Sequence, residues 1–118
     1  MNQEQFVEAL RSEVLEASVA GVLGQLRQPA GRRPSEELRR LSAWFNALSD
    51  SDKVAVEDVA RLVSHAAVFG LLCVLDGVRA IEDEPDQGSF LVVYRRGESE
   101  VPLNGPGQDL LHDLLNAP

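Results

Sequence analysis

A chain of 118 residues, 44% hydrophobic and 25% charged, is long enough for one domain with a core and too apolar for a disordered tail. Its net charge of -8 works against a general nucleic-acid binder, which needs Lys and Arg to neutralise phosphate. A single cysteine, Cys73, excludes an intrachain disulfide framework and fits a reducing compartment.

The N-terminal MNQEQFVEAL has no basic region ahead of an apolar stretch and no lipidation box, so a cytoplasmic location is expected. Residues 3–27 predict an amphipathic helix. Phe6, Leu10, Val14, Val22 and Leu26 recur at helical spacing, and Val7 and Val19 widen the stripe. Glu4, Glu8, Glu13 and Glu16 precede Arg27 in the order the helix dipole favours. Gly21 and Gly24 predict a bend or an early end, or else a close neighbouring backbone.

Residues 28–34 hold two prolines and a glycine and read as a linker. A second helix is expected over 35–48, with Leu38, Leu41, Phe45 and Leu48 on one face and Trp44 beside it. Ser49, followed three residues later by Asp52, is a start signal for a third helix running to Leu75. Val59, Leu62, Val63, Ala66, Gly70, Leu71 and Val74 are its expected inward residues. Residues 66–75 carry no charge, too short a run to span a bilayer and suited to a central, buried helix.

Gly77 is placed to end that helix in a left-handed conformation. Residues 78–81 fit either a strand or a helix extension, and 83–88 form a turn. Residues 90–94, FLVVY, predict a strand, with 101–103 pairing back across a turn at 95–99; Pro102 confines that arm to an edge. Residues 109–116 predict a short closing helix carrying Leu110, Leu111, Leu114 and Leu115. The expected fold is a single α+β domain over 1–118. It has three N-terminal helices, the third central and buried, a small antiparallel hairpin or sheet, and a short C-terminal helix.

No spacing implies a metal or cofactor. A calcium loop begun at Asp83 would put Gly88 correctly at its sixth position, but Pro85 at the third and Tyr94 at the twelfth. His65 and His112 lack a His or Cys at zinc spacing. His65 reads as a hydrogen-bonded boundary residue. His112 and Asp113, as sequence neighbours on a helix, should point about 100° apart. Cys73, among leucines near a helix C-terminus, reads as a buried inert thiol. Asp76, Arg79, Glu82 and His112 form a candidate ligand cluster or structural ion-pair set around the cap of the third helix. No phosphate-binding glycine loop or nucleophile elbow is present.

Charge is unevenly placed: residues 27–40 sum to +3 and residues 76–118 to -6. Glu82, Asp83, Glu84, Asp86, Glu98 and Glu100, with Arg32 and Arg33 opposite in sign, are therefore the candidate partner-binding residues. The pattern favours an acidic protein–protein interaction module over an enzyme. One concrete form is an immunity, antitoxin or adaptor protein that masks a basic partner. The alternative is a self-associating structural or regulatory domain, a homodimer. A weaker alternative is a ligand binder or enzyme at the Asp76, Arg79 and Glu82 junction.

Overall fold

A reciprocal cap starts the first helix. The Gln5 amide donates to the Asn2 side chain at 2.8 Å, and the Asn2 amide donates to the Gln5 side chain at 2.9 Å. In the computed structural model, which describes residues 1–118, the fold is α+β. Helix α1 (Gln3–Leu10) passes through a π-helical segment (Arg11–Glu16) into α2 (Ala17–Arg27) without a break. The wider π turn rotates the apolar stripe. Val7, Leu15, Val19, Leu23 and Leu26 are buried, whereas Val14 and Val22, expected inward, are exposed. Gly21 and Gly24 neither end the helix nor admit a neighbour: nothing lies within 4 Å of where their Cβ atoms would sit.

Ser35 caps α3 (Glu36–Asn46) by accepting from the Leu38 amide. Phe45 is buried, Leu41 and Leu48 pack partly, and Trp44 stays exposed. The carbonyls left open at the end of α2 are met from α3. Ser42 Oγ donates to Leu26 O at 2.7 Å, and Asn46 Nδ2 donates to the carbonyls of Leu26 and Arg27.

Helix α4 (Asp50–Leu75) begins at Ser49, whose hydroxyl accepts from the Asp52 amide, and ends in a Schellman motif. Gly77 takes φ +78°, its amide reaches Val74 O, and the Val78 amide reaches Cys73 O. One face of α4 packs inward. Val56 and Ala60 meet the α2–α3 layer, while Val68 and Leu72 meet α1, the π segment and the last helix. Ser64 Oγ donates to Leu15 O, and Arg61 forms a two-oxygen contact with Glu16. The hydrogen bonds that Arg61 donates to Glu16, and the charge of that carboxylate, push the guanidinium above its usual range.

The expected inward face of α4 needs correction. Val59, Leu62, Val63, Ala66 and Leu71 lie on the surface. At 100° per residue, Leu62 and Ala66 stand roughly 120° round the helix from Val68 and Leu72. The helix is apolar on two faces, and the chain covers one of them.

Beyond Gly77, residues 78–92 are neither strand nor helix. The hairpin pairs β1 (Val93–Arg96) with β2 (Ser99–Pro102), so the strand starts three residues later than expected. Gly97, at φ +61°, opens a two-residue turn with Glu98, and Arg96 faces Ser99 across it. Before the ladder, Asn104 holds the chain. It accepts from the Val92 amide at 2.7 Å and donates to Leu75 O at 2.8 Å and Phe90 O at 3.0 Å. Asn104→Ala is expected to cost about 2–3 kcal/mol, because three hydrogen bonds, two of them part-buried, are lost together. Thermal melting and faster exchange of the Val92 amide would measure it.

Helix α5 (Leu111–Asn116) lays Leu111 and Leu115 into the core. Arg11 Nη1 donates to Leu115 O at 2.9 Å, tying the end of α5 to the π segment. Two separate clusters result. One joins Val7, Leu15, Val68, Leu72, Leu111 and Leu115; the other joins Val19, Leu23, Leu26 and Phe45. The chain is elongated, 51 × 36 × 32 Å, with a radius of gyration of 18.4 Å. A compact chain of this length would have about 13–14 Å.

Candidate functional site

Between the two clusters the core is open. A groove of about 480 Å³ runs between the helical arm and α4, floored by Val19 and Val68 and walled by Val14, Val22, Val63 and Ala67. Ser18 and Ser64 are its only polar lining residues, and the Ser64 hydroxyl is already spent on Leu15 O.

Beside the groove runs the outer face of α4. Val59, Leu62, Ala66 and Gly70 recur at steps of three and four residues, a seam of the kind that packs against another helix. Leu62 is 70% exposed. Across the chain, fifteen large hydrophobic residues are exposed against twelve hydrophobic residues buried, the reverse of a finished core.

The seam ends in opposite charges. Asp58 lies next to Leu62 on the N-terminal side, exposed and with no cation within salt-bridge distance. At the other end Arg79 turns back and lays its guanidinium over Gly70. A Cβ there would come within 2.5 Å of Arg79 Nη1, so glycine is what admits the contact. Arg79 forms no ion pair within the chain. About 18 Å of helix separates Asp58 from Gly70.

A bilayer could also receive an apolar helix, and α4 is long and apolar enough by length and composition to cross one, with 22% of the relevant window buried. Asp50, Asp52, Lys53, Glu57, Asp58 and Arg61 occupy its first half, however. Residues 62–75, the uncharged remainder, rise about 21 Å against a hydrocarbon thickness of about 30 Å.

The four residues of the proposed cap cluster do not converge. Asp76 and His112 meet: the carboxyl Oδ2 accepts from the His112 amide at 2.9 Å and lies 2.7 Å from Nδ1. The Asp76 side chain is fully buried, and its Oδ1 has no partner. His112 Nε2 lies 3.3 Å from Asp113 Oδ1, so the expected divergence of these neighbours is corrected: both side chains bend to the same edge of α5. Asp76 takes Nδ1 of His112, and the exposed Asp113 carboxylate stands beside Nε2. Arg79 and Glu82 lie instead along a crevice of about 40 Å³, room for about one water. Glu82 closes the following loop, its Oε2 accepting from the Gly88 amide.

The remaining candidates are dispersed. Asp83, Glu84 and Asp86 are exposed in that loop, Glu98 sits in the hairpin turn, and Glu100 pairs with Arg95 at 2.7 Å. Arg32 and Arg33 are exposed in the 28–35 connection. His65 is not hydrogen-bonded as expected; its ring stacks on Phe69 at 6.2 Å, and Phe69 meets His112 edge-on at 5.5 Å. Cys73 is buried and free.

Sequence reasoning missed the seam and the groove. Their signal was present in α4, whose second half is apolar all round. No protein-family model, curated protein or solved structure matches this chain.

Proposed function

We propose that the chain is a protein–protein interaction module whose working surface is the outer face of α4 together with the adjoining groove. One observation carries this: an apolar seam and an open core lie side by side, with two serines as the groove's only polar lining. A catalytic pocket would bring convergent polar groups to such a place. The reading gives the protein a binding role without a cofactor, in a reducing cytoplasm where Cys73 stays a thiol.

The test is a photo-crosslinking residue placed at position 62 in cells that make the protein natively. A discrete adduct of protein mass is expected from position 62 and none from position 37 on α3. No adduct from either 62 or 71 would overturn the reading. A basic partner is the second reading, supported by Asp83, Glu84 and Asp86 standing exposed without a cation in salt-bridge range. It calls for an adduct from position 84 in place of 62.

A further inference from the structure

We infer that the partner on this face is a second copy of the chain, docked about a two-fold axis with the two α4 helices antiparallel. The inference rests on the reading of the outer face of α4 as an interaction surface.

Surface area points to another copy. The chain exposes 8454 Å². A folded monomer of 12.9 kDa is expected to expose about 6,300 Å², leaving roughly 2,100 Å² in excess. Obligate homodimer interfaces remove about 1,000–2,500 Å² from each chain, so one such interface accounts for the surplus. The radius of gyration, 18.4 Å where about 13–14 Å is expected, says the same thing in length.

Charge fixes the orientation. An isologous contact puts each residue against its counterpart's partner, so a self-complementary seam must carry opposite charges at its two ends. This seam does, with Asp58 at one end and Arg79 over Gly70 at the other. Antiparallel pairing brings Asp58 of one copy against Arg79 of the other, twice, about a centre midway between Leu62 and Ala66, so that Leu62 of each copy faces Ala66 of the other. Parallel pairing would set Asp58 on Asp58. The small Ala66 opposite each Leu62 leaves room for that side chain and lets the helices approach closely.

Sedimentation equilibrium at about 0.15 M and about 1 M salt provides the test. A mass of twice 12.9 kDa is expected at both, since the contact is chiefly apolar. Leu62→Glu, a surface change in the chain, is expected to give a monomer with an unchanged helical spectrum. Asp58→Arg and Arg79→Asp should each weaken the dimer at least about ten-fold, and the double exchange should recover most of the loss. A dimer indifferent to Leu62→Glu, or broken by it but blind to both charge exchanges, would overturn the proposed pairing. A monomer at about 100 µM whose position 62 still crosslinks to another protein overturns the second copy and leaves the interface reading standing. A monomer with no adduct that floats with lipid vesicles ends both.

Discussion

Leu72→Ala is expected to lower the unfolding free energy by about 3–4 kcal/mol, and the melting temperature by about 12–16 °C. Leu72 is fully enclosed, in a cluster drawn from α1, the π segment, α4 and α5. A cavity there is walled by elements tied to one another by hydrogen bonds, Ser64 to Leu15 O and Arg11 to Leu115 O, which resist its closing by local collapse. The cluster has only six buried members, and each carries a large share of it. Leu62→Ala, ten residues earlier on the outer face, is the control. It should cost under about 0.5 kcal/mol in dilute chain and show its effect only as protein concentration rises. Urea unfolding at several concentrations separates the two. A loss below about 1 kcal/mol for Leu72→Ala would mean that α5 does not cover this core in solution.

That pair of leucines also marks where the sequence could not be read: Leu62 was expected inward and is exposed, while Leu72, absent from the expected inward face, is fully buried. Local signals were legible because their causes are local. Ser49 announces the start of α4 through its cap, and Gly77 announces its end through a left-handed residue. Hydrophobic periodicity located α4 but could not assign its faces. A helix apolar all round is written the same way whether both sides are covered by its own chain or one is kept for a partner. The π segment is a second case. The extra width of that turn moved Leu15 inward and Val14 outward, and no residue type between 11 and 16 encodes it. The hairpin shifted for a third reason. The turn at Gly97 and Glu98 sets the register from one end; beyond Val93 one backbone bond remains, from the Leu103 amide to Val92 O, and the Val92 amide and Phe90 carbonyl pass to the side chain of Asn104.

The Asp76–His112 pair was half legible. Both residues stood out, but their partnership spans 36 positions and depends on α5. Its signal is an absence. The residue before α5 is Leu110, which offers no side-chain acceptor, so an amide of the first turn must find one elsewhere. Asp76 supplies it from α4: its Oδ2 takes the His112 amide and approaches the imidazole as well.

Asp76→Ala follows from that arrangement as the second large effect, expected at about 2–4 kcal/mol. At the end of α4 the carboxyl faces the unfavourable pole of its own helix, while it serves the favourable pole of α5. Removing it leaves the His112 amide and Nδ1 without an acceptor in a part-buried site and frees α5 to lift. Leu111 and Leu115 would then leave the core together and uncover Leu72. Asp76→Asn should cost less, about 1–2 kcal/mol, since an amide oxygen can replace Oδ2 while its NH₂ takes the unpartnered place of Oδ1. Amide exchange provides the readout. Protection in α5 should fall before protection in α3, whose Phe45 cluster is separate. Equal loss in both helices would show that the two clusters unfold as one unit and that α5 is not held chiefly by this carboxyl group.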